Sequence, residues 1–332
     1  MRMSSTANRV AAVLLFLLAP GLAHGANECS ELFPDFNCEN REARYEGFTP
    51  PSSMPYLFED PFITTGISAH GLWHEFPKFS AMRGGDIYIL AVQARLAITD
   101  RLAFIATKDG YAWLRPGGTS QIPDDDGFFD IAAGFKYALI DRPEDGFILT
   151  PSFRIDIPVG NNGLFSGNGD GVAIPGVSAG VAAGPVHLIG NFGARLPFNT
   201  AKEASSVFYN LHVDANVVEW VVPFVELNGT TWTRSANGER NIKTKAFGSV
   251  DIGIAQNVLA NAGLIDERRF EGLDVANLGS AGVAGTTVMS MAFGGRIPVS
   301  DHVSVASYYE IPVTGRKGIF KQRAAVNVHF EY

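Results

Sequence analysis

The sequence predicts an all-β protein, a transmembrane antiparallel up-and-down β-barrel of about 12 strands, and three observations carry that reading. Segments of roughly ten residues, the length a tilted strand needs to cross a bilayer, alternate apolar with polar or small residues along most of the chain. The links between them alternate short and long. Charged residues are only 18% of the chain, with 36 Gly and 24 Phe, whereas an ordinary soluble domain carries roughly 25% charge. The formal charge of −8 argues against a nucleic-acid binder, which needs a basic surface.

In chain order, residues 1–25 read as a signal peptide: Arg2 and Arg9 lead, an apolar run from Val10 to Ala19 follows, and Ala23-His24-Gly25 supplies small residues for cleavage before Ala26. Cys29 and Cys38 are the only cysteines. In an exported chain such a pair is expected to close a small disulfide loop. A lipid anchor on Cys29 is disfavoured, because Glu28 precedes it. Residues 26–61 are charged, Pro-rich and aperiodic, and read as a periplasmic N-terminal extension. The barrel is expected over 62–332.

Strands are expected at 62–73, 85–98, 102–114, 128–140, 147–159, 172–184, 186–198, 206–218, 221–232, 285–298, 303–315 and 319–332. In the fourth, Phe129, Ile131, Phe135, Tyr137 and Leu139 share one parity, and Asp130, Gly134 and Lys136 share the other. In the fifth, Phe153, Ile155 and Ile157 oppose Ser152, Arg154 and Asp156. The non-apolar face is mostly Gly, Ala, Ser and Asn with isolated charges, too small and too weakly ionic for a water-facing exterior. An apolar exterior around a polar lumen is the outer-membrane arrangement.

Short links such as 99–101, 141–146 and 300–302 fall on the C-terminal, periplasmic side, and long ones such as 115–127, 160–171 and 233–284 on the outer side. The 233–284 link is long enough to be functional. Its stretch 246–264, with Phe247, Ile252, Ile254, Val258 and Leu264, is too apolar to be solvated and is expected to fold over or into the outer mouth as a helix or hairpin.

The inward parity carries Arg95, Lys108, Lys136, Arg154, Arg195, Arg296, Lys321 and Arg323 against Asp130, Asp156, Asp214, Glu226, Glu310 and Glu331, with His212 among them. These lumen-lining residues read as paired charges bracing a narrow barrel, or as a selectivity lining. Inward Gly134, Gly176, Gly180, Gly193 and Gly294 are expected to leave room for a solute. No catalytic residue, metal site or cofactor is expected. His302 and Ser304 have a His-x-Ser spacing suited to lipid hydrolysis, but sit at the wrong membrane level. Asp124, Asp125 and Asp126 form an acidic run that reads as solvated. His70 and His74 stand about 13 Å apart along a strand, too far to share a metal ion.

The stretches PYLFEDPF (55–62) and LAITDRLAFIATKDGY (96–111) are similar to outer-membrane barrels of the family named for the MetA pathway of phenol degradation. That resemblance implies passage of aromatic or other small compounds. The alternating end Val326, Val328, Phe330, Tyr332 resembles the C-terminal signal read by the barrel assembly machinery. The expected function is thus a passive outer-membrane channel for small solutes, with outer-membrane lipid around it. The alternatives are a lipid-modifying enzyme or a non-conducting structural or adhesion barrel.

Overall fold

The structure is a computed structural model and describes residues 45, 47–218, 220–264, 270–274 and 276–331. The leader, Cys29, Cys38 and Tyr332 lie outside the described residues. The strands are β1 (Gly66–Glu75), β2 (Gly85–Ala97), β3 (Leu102–Pro116), β4 (Asp125–Phe128), β5 (Ile131–Tyr137), β6 (Ile140–Arg142), β7 (Phe147–Ile157), β8 (Val172–Ala183), β9 (Val186–Pro197), β10 (Ser205–Ala215), β11 (Val222–Arg234), β12 (Asn241–Thr244), β13 (Gly248–Asp251), β14 (Thr287–Ser300), β15 (Val303–Pro312) and β16 (Gln322–Glu331), with one α-helix, α1 (Ile252–Asn261), between β13 and β14.

Every wall strand pairs antiparallel with its neighbours, and β1 pairs with both β2 and β16, so the sheet closes on itself. Twelve strands form the wall. The short β4 and β6 only extend the pairing of β3 and β7, and β12 with β13 makes a separate hairpin. Closure leaves no unpaired edge, which is what permits a sheet to sit in lipid. The period-2 pattern then does the sorting: on β7 the lipid-facing Phe153 is 51% exposed while Arg154 beside it is 1% exposed.

Two departures from the expected strands have local causes. The strand expected over 128–140 is broken, because Asp130 sends its N–H to Ser166 Oγ at 2.8 Å instead of across a ladder, and its carboxylate takes the amides of Gly160 and Gly167. Between β2 and β3 the register shifts at Val92/Ala94. That bulge turns both Thr107 and Lys108 inward, where strict alternation would send one of them to lipid.

The extension read as periplasmic is, from residue 47, not outside the barrel. It enters at the short-turn end, where the Thr49 N–H and Oγ donate to Asp214 at 3.1 and 2.8 Å. It climbs to Tyr56, whose hydroxyl donates to Asp156 at 2.6 Å, one residue before the far end of β7. There it reverses, with the amides of Leu57 and Phe58 both on the Met54 carbonyl. It descends past Glu59 and Pro61 to join β1. This re-entrant stopper, residues 47–65, packs Phe48, Met54, Leu57, Phe58 and Phe62 against Ile148, Ile174, Ile189 and Phe208 of the wall.

The lumen is therefore neither open nor purely polar. The space expected at the inward glycines is filled: a Cβ on Gly193 would stand 2.3 Å from the Phe208 ring, and one on Gly180 would touch Pro61 and Phe48 of the stopper. At the opposite end the 246–264 stretch does form a hairpin strand and α1, and Ile252 is buried, yet Phe247 and Val258 remain 76% and 61% exposed. The part that enters the mouth is the described residues of the 270–280 segment, 270–274 and 276–280, with Phe270, Leu273 and Leu278 buried. It can do so because the Glu271 carboxylate takes the amides of Gly272, Leu278 and Ser280, so its backbone brings its own hydrogen-bond partner inside.

Candidate functional site: the stoppered lumen

The site is the seam between the stopper and the wall, where polar contacts accompany the apolar packing at both the short-turn end and the apex. Near the short-turn end, Ser52 and Ser53 donate their amides to the two oxygens of Glu226 at 2.8 and 2.7 Å. Glu226 in turn faces His212 Nδ1 at 2.7 Å, while His212 Nε2 lies 3.0 Å from Asp214 and His187 Nδ1 lies 2.6 Å from the other Asp214 oxygen. Arg296 donates to the Pro50 carbonyl at 2.8 Å and Asn327 to that of Ser52 at 3.0 Å.

Below the apex the polarity reverses, with cations on the wall and carboxylates on the stopper. Glu59 receives a two-pronged pair from Arg95, Nε and Nη2 each at 3.0 Å. Lys136 Nζ lies 2.7 Å from Glu59 and 2.9 Å from Asp60. Burial opposes ionisation of Glu59, but Arg95 and Lys136 outweigh it and hold its carboxyl well below the usual carboxylate range. Wall donors complete the seat: Ser178 Oγ donates to the Glu59 carbonyl, Thr150 to that of Pro61, and Arg154 to those of Tyr56 and Leu57. At the apex, Lys108 binds Asp156 at 2.8 Å and stands 4.9 Å from the centre of the Tyr56 ring.

The 270–280 segment seals the other end. Asp274 holds Arg323 through both carboxylate oxygens at 2.9 and 3.0 Å, Glu310 completes the cluster at 3.3 Å, and the Asp274 carbonyl accepts from Arg195. A void of about 30 Å³ lies between Pro55 and Tyr56 of the stopper apex and Asp274, and another of about 40 Å³ lies beside Leu273, Asp274 and Phe76, each with room for ordered water only. An open vestibule of about 470 Å³, lined by Thr49, Asn216, Arg296 and Ser304 among others, lies at the short-turn mouth.

The thirteen residues expected to line the lumen, Arg95, Lys108, Asp130, Lys136, Arg154, Asp156, Arg195, His212, Asp214, Glu226, Arg296, Glu310 and Arg323, all project inward. They meet the stopper, the 270–280 segment and one another rather than a water-filled path. Lys321 is instead at the rim, paired with Glu75. His302 donates to the Glu331 carbonyl and Ser304 accepts from Arg296, so these two are not set as base and nucleophile. His74 donates to the Ile319 carbonyl, and His70 stacks edge-on to His329 at 5.7 Å. Asp125 is held by Asn161 and Lys243. Among the described residues no group of His, Cys, Asp and Glu is placed to hold a metal ion.

Reading the sequence missed Tyr56, Glu59, Asp60 and Asp274. One signal for the first three was present: eight cations of the inward parity stand against six carboxylates, an imbalance that a buried lumen does not tolerate without carboxylates from elsewhere.

No protein-family model matches the chain, and no curated protein does. Among solved structures the chain is similar to an outer membrane channel from Pseudomonas putida F1, at 12% identity and a TM-score of 0.52, covering 86% of this chain and 100% of that one. It also overlaps the NanC porin at 8% identity and 0.46, over 80% of this chain and 100% of that one, and the KdgM porin at 8% and 0.41, over 80% and 99%. At these identities the likeness is one of fold: the chain is an antiparallel barrel of the outer-membrane type.

Proposed function

We propose that this protein is an outer-membrane channel for small solutes that rests closed, with residues 47–65 as a removable stopper. The observation that carries this reading is the chemistry of the seam. A permanent plug is most simply built from apolar packing, since unpaired buried charge is costly. Here the stopper lies outside the hydrogen-bonded sheet, and besides the apolar packing of Phe48, Met54, Leu57, Phe58 and Phe62 it is held by ion pairs and side-chain donors that water or a charged solute can replace. The barrel closes without it through β1 and β16. The resemblance of PYLFEDPF, which forms the stopper's apex and descending arm, to the phenol-degradation family supports small compounds as cargo. Insertion by the assembly machinery into a lipid bilayer and residence in the outer membrane belong to the same proposal.

The test is conductance of the full chain in planar bilayers against a deletion of residues 49–61. Rare, brief openings in the wild type and a steady pore in the deletion are expected. The sealed lumen favours one other reading, a non-conducting structural barrel. A correctly assembled deletion variant that passes no current would establish that reading and end this one.

A further inference from the structure

Among the inward cations, Arg95 and Lys136 differ from Lys108 and Arg323 in who neutralises them. Lys108 has Asp130 and Asp156 on the wall, and Arg323 has Glu310 besides Asp274. Among the described residues, every carboxylate within ion-pair distance of Arg95 and Lys136, by contrast, belongs to the stopper: Glu59 and Asp60. Arg154 adds to this, because its hydrogen-bond partners are the stopper's carbonyls and Thr107, with no carboxylate among them. When the stopper leaves, the seat loses the carboxylates that pair with it directly and keeps the longer-range fields of Glu331 on Arg95 and of Asp156 on Arg154. In the open, wet lumen these cations are hydrated and still carry their charge, so an anion that binds them favours the open state.

We propose that Arg95 and Lys136, flanked by Arg154, Ser178 and Asn191, form an anion-binding site for a small dicarboxylate, and that Glu59 and Asp60 occupy it in the closed state as a built-in stand-in for that solute. This rests on the channel reading above and names its solute class. Two features of the seat specify a dicarboxylate over a single anion. Arg95 presents a two-pronged fork, the geometry that matches one carboxylate. Lys136 bridges that carboxylate to a second, and since both are within hydrogen-bonding reach of one ammonium, their oxygens lie no more than about 6 Å apart. Succinate spans such a distance. Asn191 donates to Ser178 and reaches the Glu59 carbonyl, so the rim of the seat also offers neutral donors to a polar solute. The solute thereby displaces the stopper by competing for its seat, and the species that is admitted is the one that opens the pore.

The experiment uses the full chain in planar bilayers at matched ionic strength with succinate, acetate or glucose as the probe. Succinate is expected to raise the open fraction about tenfold more than acetate, the size of one charge-assisted hydrogen-bond pair, with glucose inert. Arg95→Gln is expected to remove that advantage. Independently, calorimetry in detergent should show succinate binding the Glu59→Gln/Asp60→Asn barrel about tenfold more tightly than the wild type, where the chain's own carboxylates compete. Equal action of succinate and acetate in a protein that conducts, together with no tighter binding to the double variant, overturns the assignment while leaving the channel intact. A stopper deletion that stays silent removes both.

Discussion

Glu59→Gln is the sharpest probe of how the stopper is held, because it keeps the shape of the side chain and removes only its charge. The wild-type carboxylate receives Arg95 twice at 3.0 Å and Lys136 at 2.7 Å, and is fully shielded from solvent. Burial opposes its ionisation, but Arg95 and Lys136 favour it more strongly. Removing one partner of a buried ion pair costs about 3–5 kcal/mol. Asp60 remains 2.9 Å from Lys136 and 3.4 Å from Arg95 and recovers part of the loss, so the lower figure applies. The closed-to-open ratio should fall about a hundredfold. Single-channel recording measures that ratio directly, and heat-modifiable migration in gels reports whether the barrel has assembled. Lys136→Met makes the second arm of a double-mutant cycle with Glu59→Gln, in which the two effects should fall short of additive by at least about 1 kcal/mol. An assembled Glu59→Gln barrel that stays closed as long as the wild type, or strict additivity in the cycle, would refute the ion pair as the latch.

Acid should open the channel with a defined sign. Glu59 has a lowered value when seated, so its contribution to closure is complete above the ordinary carboxylate value of 4.5 and is lost as pH falls below it; the open fraction should rise on acidification, and Glu59→Gln should flatten the rise. Asp274→Asn removes the outer partner of Arg323, and together with the stopper deletion it should give a larger conductance than the deletion alone; equal conductances would show that 270–280 does not narrow the pore. Gly193→Val would drive a side chain into the Phe208 ring and the Pro175 carbonyl, 2.3 and 2.7 Å from the first added carbon, and should destabilise the barrel by about 1–3 kcal/mol, seen as a lower temperature for loss of the compact gel form. Excising 246–264 should leave the wild-type conductance unchanged, since α1 caps the mouth without entering it; a rise would place the constriction there after all.

The wall was legible in the sequence because what specifies it is local. Period-2 alternation within a segment decides which face meets lipid, and turn residues between segments decide where strands end; hence β8, expected over 172–184, runs Val172–Ala183, and β9, expected over 186–198, runs Val186–Pro197. The inward direction of Arg154, Asp156 and Asp214 follows from the same parity. Lys108 already needed the tertiary structure, since the bulge that turns it inward is a mismatch between two strands and belongs to neither alone. The stopper and the 270–280 segment were beyond local reading for a stronger reason. Glu59 meets Lys136 and Arg95 across long stretches of chain, and a charged, Pro-rich, aperiodic segment looks the same whether water or a lumen full of hydrogen-bonding side chains solvates it. Sequence alone determined a barrel with charges inside; only the closed ring of strands, by setting Arg95, Lys136 and Arg154 around one space, decided that the chain's own Glu59 and Asp60 would fill it.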